Sequence, residues 1–234
     1  MLTRMSCHLF RPATGEGINE SPESFYVQRA ELSGYLPWTL IALTRTTSLR
    51  HRQWVNAWGE PVDLDGLVES ALGLLERASL PIAEAMREPR SLTAQAPVHA
   101  FTCAGTHMVY ALLTAVHAGY AGKDRTRRIQ QQTDLMVWRL TADVDLIERF
   151  YRAEGRDGSP SLWWFELDSK LKLLGHAEEC LALAARYKMV KSTAAQQTQR
   201  QVAKATLRRL INDIEQRDLA EARALTGDLY SLVS

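Results

Sequence analysis

Charged side chains are missing from one long stretch in the middle of the chain. From residue 91 to residue 122 there are 32 consecutive positions without a single Asp, Glu, Lys or Arg. A helix that faces water normally carries Lys or Glu on its outer side, so a charge-free helix is expected to be buried on most sides. The stretch therefore predicts a central helix over about 98–120, with the rest of the chain packed around it.

The same stretch has to be weighed as a membrane span. Crossing a bilayer takes about 20 consecutive apolar residues, and the interval 98–120 reaches that length. It contains three histidines and three threonines, however, and its flanks carry no pattern of interfacial anchors. A buried helix of a soluble bundle is the preferred interpretation. The first twelve residues also lack the apolar core of a secretory signal, so we expect a cytoplasmic protein without a membrane segment.

The rest of the chain divides into an irregular beginning and a helical remainder. Gly and Pro interrupt residues 1–60 repeatedly, with aromatic residues between them. This pattern predicts an irregular, aromatic-rich N-terminal arm, with one or two short helices near 38–58. Over 61–234 apolar residues recur with the 3.6-residue period of a helix, and no strand-like alternation persists. The predicted fold is all-α, a bundle of about five long helices formed by residues 61–234.

Capping and breaking residues place these five helices along the chain. They are predicted over about 63–87, 98–120, 124–153, 162–189 and 193–225. Asp63 or Asp65 is suited to cap the first helix, and Pro81 predicts a kink in it or the start of another helix. Ser192 or Thr193 is suited to cap the last one.

Composition excludes several classes of function. The chain has 28 basic and 27 acidic residues among 234, a formal charge of +1, which argues against a strongly basic nucleic-acid binder. One local segment, 188–209, carries six Lys and Arg side chains and no acidic one. A solvated helix face is the preferred interpretation of this segment, and contact with phosphates is the alternative. Three cysteines are too few for a disulfide framework.

Histidine and cysteine fall into two groups with helical spacing. His99, Cys103 and His107 follow one another at intervals of four residues in the charge-free stretch. His176 and Cys180 repeat that interval in the helix predicted over 162–189. Residues four apart share one side of a helix, so each group can direct its side chains to one place. Both faces are expected to be internal, which makes convergence of the two groups the central hypothesis.

Convergence would create an internal Cys/His metal site. Thiolate and imidazole together suit zinc best, with copper and iron as alternatives. Asp168 is expected to be a further ligand or to fix a histidine tautomer, and Tyr110 to hydrogen-bond to the site residues. The predicted ligands are His99, Cys103, His107, His176 and Cys180.

Other interpretations of the same residues stay open. Buried cysteine and histidine are common in protein cores, so both groups can be structural. Cys103 with His107 or His176 could instead form a nucleophile and its base, although no oxyanion-hole motif accompanies them. A di-iron carboxylate centre is disfavoured, because the chain has no Glu-x-x-His pair.

Two functions therefore follow from the sequence. The leading one is a metal-binding helical-bundle protein which, if it is an enzyme, carries out a metal-dependent or redox reaction on a small molecule. The alternative is a non-catalytic helical adaptor or a subunit of a larger assembly. In that case the N-terminal arm would hold a protein partner, since irregular segments often become ordered on association. Nucleic acid is not an expected partner, and oligomer formation is compatible with both functions.

Overall fold

The structure, a computed structural model, describes residues 30–88, 90–120 and 124–216, with side chains from residue 36 onward except at position 161. Six α-helices make up most of these residues, and the strands within the described ranges form one two-stranded sheet. The helices are α1 (Ala30–Thr46), α2 (Leu64–Arg87), α3 (Thr106–His117), α4 (Arg125–Ala153), α5 (Pro160–Arg186) and α6 (Ala194–Glu215). The all-α prediction is confirmed for this part of the chain. None of these helices combines the length and the apolar character that a bilayer crossing requires.

The region 30–63 is more regular than the sequence pattern predicts. α1 occupies its first half, and β1 (Gln53–Val55) pairs antiparallel with β2 (Pro61–Asp63) in its second half. Asn56 organises the connecting loop, because its Oδ1 accepts hydrogen bonds from the backbone N–H groups of Trp58 and Glu60, both at 3.0 Å. Three-residue strands are too short for a period-2 pattern to be visible. The irregular arm is thus not confirmed for these residues, for which short helices near 38–58 were also predicted, and its earlier part lies outside the described residues.

The helix boundaries agree with the capping signals at two places. α2 begins directly after Asp63, whose Oδ1 accepts from the backbone N–H of Asp65 at 3.1 Å, and it continues through Pro81 without interruption. α6 begins after Thr193, whose Oγ1 accepts from the N–H of Gln196 at 3.2 Å while the Gln196 side chain bonds back to the Thr193 N–H. The predicted end of this last helix, near residue 225, lies outside the described residues.

The described chain forms two compact units. The first unit takes residues from 30–81, 96–133 and 179–191, and the second from 82–95, 134–178 and 192–216. The changes from one unit to the other fall inside α2, α4 and α5, each of which is a continuous helix. The sequence-based division into an arm over 1–60 and a bundle domain over 61–234 stays a prediction.

The first unit has an apolar interior and an ionic rim. α1 packs against α3, and nine of the twelve residues of α3 are buried, as the absence of charge predicts. At the rim, Arg125 contacts Asp65 at 3.1 Å and Glu69 at 3.0 Å, and Arg128 contacts Glu76 at 2.6 Å and also Glu69. The hydrogen bond from Arg128 is the main cause that lowers the pKa of Glu69. These pairs align the start of α4 with α2.

The second unit buries charge instead. The Lys170 Nζ donates to Glu148 at 2.7 Å and to Glu166, whose other oxygen accepts from Arg156 at 2.7 Å. Lys170 and Glu166 are both buried. Buried ion pairs add little net stability but are costly to break, so this network favours one arrangement of the helices over others.

Candidate metal centre

The predicted helix over 98–120 is wrong in its first half. Val98 lies in a 3₁₀ turn (Pro97–Ala100), and a second short turn (Thr102–Gly105) follows before α3 begins. In the second turn Cys103 has φ 48°, Ala104 has φ 54° and Gly105 has φ 80°, so three consecutive residues are left-handed. His99, Cys103 and His107 therefore do not lie on one helix. The i, i+4 argument fails for this group.

Gly105 shows why the chain turns here. A Cβ atom at this position would lie 2.5 Å from Cγ2 of Val98, which is fully buried, so only glycine fits against the 3₁₀ turn. Thr106 closes the turn by donating from its Oγ1 to the Cys103 carbonyl oxygen at 2.7 Å. Left-handed backbone costs a residue other than glycine roughly 1–2 kcal/mol. Cys103 and Ala104 therefore hold strain, which is typical of functional sites.

The second group, on α5, obeys helical geometry. Cys180 is buried, and its Sγ donates to the Thr106 carbonyl oxygen at 3.2 Å. Thr106 thus forms two contacts: its carbonyl oxygen accepts from the Cys180 thiol, and its hydroxyl donates to the Cys103 carbonyl oxygen. His176 lies one turn before Cys180 on the same side of the continuous helix α5, which brings it toward Cys103 and His107.

Three of the five predicted ligands come together. The Sγ of Cys103 and one ring nitrogen each of His107 and His176 all lie within 4.8 Å of one another, and each residue is half-buried. Ligands of one zinc ion are about 3–4 Å apart, since the bonds to sulfur and nitrogen are about 2.0–2.3 Å long. Small side-chain rotations would bring the three donor atoms to such separations. The Cys/His cluster, defined as these three residues, could hold a metal.

The other predicted site residues have different surroundings. The His99 Nδ1 accepts from the Ala96 backbone N–H at 2.8 Å. The Asp168 carboxylate pairs with Lys172 at 2.8 Å and lies two turns before His176, about 12 Å along the helix axis. The backbone carbonyl oxygen of Tyr110 accepts from the Thr114 Oγ1 at 3.0 Å. His99 and Asp168 are thus not part of the Cys/His cluster. A hydrogen bond from the Tyr110 side chain to the site residues stays a prediction.

Cys180 differs from Cys103 in its environment as well as in its bonding. Burial is the main cause that raises the pKa of the Cys180 thiol, with the charge of Glu179 as the next cause. The Cys180 sulfur is therefore protonated at neutral pH. Cys103 is half-buried and lies just before the N-terminus of α3. The positive end of a helix dipole favours a nearby thiolate, so Cys103 is the better metal ligand of the two.

One residue beside the cluster was missed by the sequence analysis. The Trp38 ring lies with its centroid 4.8 Å from that of His107, and the residue is 52% exposed. Trp38 belongs to α1 and lies where the sequence predicted the arm with one or two short helices near 38–58, without a role in the site. Its position follows from the packing of α1 against α3, and no spacing in the sequence indicates it.

The basic segment 188–209 is partly neutralised in the structure. Arg200 contacts the carboxylate of Glu178 at 2.9 Å, and Lys204 contacts the same group at 3.5 Å. Both partners lie in the second unit, on α6 and α5 respectively. Ion pairs of this kind reduce the charge that the segment presents, which favours the interpretation as an ordinary helix face.

Comparison with known proteins provides no family for this chain. Searches of protein-family models, curated proteins and solved structures give no match. The function has to be argued from the Cys/His cluster and its surroundings.

Proposed function

We propose that this protein binds a transition-metal ion through Cys103, His107 and His176. The observation that carries the proposal is the convergence of one sulfur and two imidazole nitrogens within 4.8 Å. The charge-free stretch around Cys103 adds support, because the absence of charged residues from 91 to 122 indicates an internal site. The alternative explanation is that the three residues are structural side chains of the protein core. All three are only half-buried, however, and a structural role does not require their donor atoms to converge.

Zinc is the ion that this donor set fits best. It accepts cysteine thiolate and histidine nitrogen in tetrahedral geometry, and sites with one Cys and two His ligands are within its range. Copper and iron accept the same donor types, so they are the alternatives. A thiolate ligand has to stay reduced, and Cys103 and Cys180 are both free thiols. A reducing compartment such as the cytoplasm is therefore the location we infer.

Metal analysis of the purified protein tests the proposal. We expect one equivalent of metal per chain, with zinc binding measured by competition against a coloured chelator. His107→Ala and His176→Ala should each weaken zinc affinity by more than about 100-fold, because loss of a direct ligand should cost more than the loss of a group that supports one. His117→Ala is the matched control. That histidine is exposed and stacks on Tyr187 with 3.5 Å between ring centroids, so its removal should leave zinc affinity unchanged.

Two results would overturn the proposal. One is wild-type protein that takes up no stoichiometric zinc, copper or iron. The other is equal zinc affinity in wild type, His107→Ala and His176→Ala, which would show that bound metal lies elsewhere in the chain.

An adaptor function is the second candidate, and one observation favours it. Four large apolar residues between positions 38 and 58 are exposed: Trp38, Leu49, Val55 and Trp58. Exposed apolar side chains close together in sequence are typical of surfaces that bind another protein. A chain that binds no metal but forms a complex through this segment would support the adaptor over the metal protein. Substitution of Val55 and Trp58 by Ser and monitoring of complex size by light scattering would test it.

A further inference from the structure

The Cys/His cluster provides three protein ligands, and zinc requires at least four. Among the described residues no fourth Cys, His, Asp or Glu brings a donor atom within 4.8 Å of all three. Zinc sites with four protein ligands are structural, whereas sites with three keep a position for water or a substrate group. The number of ligands therefore matters for function, and the nearby candidates for the fourth place have to be considered one by one.

Cys180 is the nearest candidate by sequence, but its position is fixed by another contact. Its thiol donates to the Thr106 carbonyl oxygen at 3.2 Å and is buried. Burial raises the pKa of this thiol, so forming a thiolate there is costly. To reach the cluster the sulfur would have to give up its hydrogen bond and leave a buried carbonyl without that donor. Cys180 is thus suited to hold α5 beside α3.

His99 and Asp168 are excluded for geometrical reasons. The His99 ring bonds through Nδ1 to the backbone of Ala96 in the 3₁₀ turn before Cys103. Asp168 is two helical turns from His176 and forms an ion pair with Lys172. Neither residue brings a donor atom within 4.8 Å of all three cluster atoms.

We propose that the metal bound by Cys103, His107 and His176 keeps one exchangeable coordination position, which accepts a small anion or a thiolate from solution. This inference rests on the proposed function and identifies the class of ligand that the site takes. All three protein ligands are half-buried, so the ion they hold is within reach of solvent. The site is then of the open type in which a metal activates water or binds a substrate group.

The surroundings favour a negatively charged ligand. Cys103 contributes one negative charge as a thiolate and zinc contributes two positive charges, so the bound ion keeps a net positive charge. The twelve-residue helix α3 begins at Thr106, so His107 lies in its first turn, at the positive end of the helix dipole. No Asp or Glu occurs between positions 91 and 122 to repel an anion, whereas on α5 the charge of Glu179 acts on Cys180. Both the ion and the helix therefore attract an anionic fourth ligand.

The Trp38 ring lies beside the Cys/His cluster, in contact with the ring of His107. The Trp38 ring is tilted by 59° to that of His107 and lies 4.8 Å from it, and 52% of the residue is exposed. An aromatic group on a bound thiolate would come within reach of this ring, whereas a small inorganic anion has no aromatic group to place there. A larger thiolate should thus depend on Trp38, and a small anion should not.

Cobalt substitution provides the test, because Co²⁺ has visible absorption bands that respond to its ligands. Full-length protein loaded with one equivalent of Co²⁺ is titrated with sodium azide and, separately, with thiophenolate. We expect saturable spectral changes with both. Trp38→Ala should weaken thiophenolate binding by about 2- to 10-fold and leave azide binding unchanged. Trp58→Ala is the matched control, since Trp58 is 49% exposed and should affect neither titration.

The possible failures can be told apart. If Co²⁺ does not bind stoichiometrically, the metal site itself is wrong, and the open position falls with it. If Co²⁺ binds but azide and thiophenolate leave its spectrum unchanged, the metal site stands and the exchangeable position is overturned. Cys7 and His8 are further donors in the part of the chain outside the described residues. A decrease in sulfur-to-cobalt absorption in Cys180→Ser, or a changed cobalt spectrum in Cys7→Ser with His8→Ala, would identify a fourth protein ligand and overturn the exchangeable position as well. Unchanged spectra in both variants support the proposal.

Discussion

Two pairs of residues with the same sequence spacing behave differently in this protein. His176 and Cys180 lie on the regular helix α5, where a four-residue interval places both on one side. Cys103 and His107 have the same interval but are separated by a left-handed turn and the start of α3. The pair on the regular helix contributes one residue to the Cys/His cluster, and the pair with the irregular backbone contributes two.

The difference shows that equal spacing does not give equal roles. On α5 the Cys180 thiol bonds to the Thr106 carbonyl oxygen, and only His176 joins the Cys/His cluster. At the start of α3 the turn changes the direction of the Cys103 side chain, so that Cys103 and His107 can approach the same point. The strained backbone is thus the structural basis of the site, and the regular helix is its support.

The largest expected effect on stability comes from replacing Gly105, the glycine that the left-handed turn requires. Gly105→Ala would combine a left-handed alanine with a Cβ 2.5 Å from Val98 Cγ2, a buried β-branched side chain with little freedom to move. We expect a loss of about 2–4 kcal/mol in the free energy of unfolding, measured by urea denaturation. Gly155→Ala is the control, because Gly155 has φ +87° and nothing within 4 Å of the added atom. It should cost only about 1–2 kcal/mol. Equal losses in the two variants would show that the contact with Val98 is unimportant.

The next effect separates the two cysteines by their response to zinc. At a free zinc concentration 100 times the dissociation constant, binding should stabilise the folded protein by about 2.7 kcal/mol. Cys103→Ser should abolish this increment in a thermal or urea unfolding experiment, and Cys180→Ser should retain it. The opposite result, in which Cys180→Ser alone removes the increment, would reverse the roles assigned to the two pairs.

A third prediction uses pH on the metal-free protein. An unfolded cysteine ionises near pH 8.5, whereas burial raises the pKa of Cys180 in the folded state. Above that pH the unfolded chain binds fewer protons than the folded one, so stability is full below about pH 8.5 and falls as the pH rises. Wild type should lose up to about 1.4 kcal/mol per pH unit relative to Cys180→Ser. Parallel curves for wild type and Cys180→Ser would contradict the prediction.

The smallest effect tests the strain itself. Ala104 has φ 54°, and glycine adopts this conformation without penalty. We expect Ala104→Gly to stabilise the protein by about 0.5–1 kcal/mol, once the larger entropy of unfolded glycine is subtracted. Ala182→Gly, at an exposed position of α5, should instead destabilise it by about 1 kcal/mol. If both variants lost the same free energy of unfolding, the left-handed conformation of Ala104 would carry no strain.

Most of the helices were predictable, because local signals specify them. Asp63 and Thr193 mark the beginnings of α2 and α6, and the absence of charge indicated that α3 is buried. The turn before α3 was not recognised. Its signal is Gly105, a glycine inside an otherwise helical apolar pattern, and such a glycine is compatible with a helix interior as well as with a break. The hairpin over 53–63 was missed because its strands are only three residues long.

The sequence by itself determined that the chain is helical, that α3 is enclosed, and that His and Cys are the residues able to carry chemistry. These properties depend on composition and on periodicity along the chain, which are local. Which of the five candidates meet was decided by the tertiary structure. The close approach of Val98 to Gly105 leaves no room for a Cβ atom in the left-handed turn, and the Cys180 thiol bonds to the Thr106 carbonyl oxygen across α5 and α3. Both contacts join residues whose proximity depends on packing, and packing cannot be derived from spacing within a single helix.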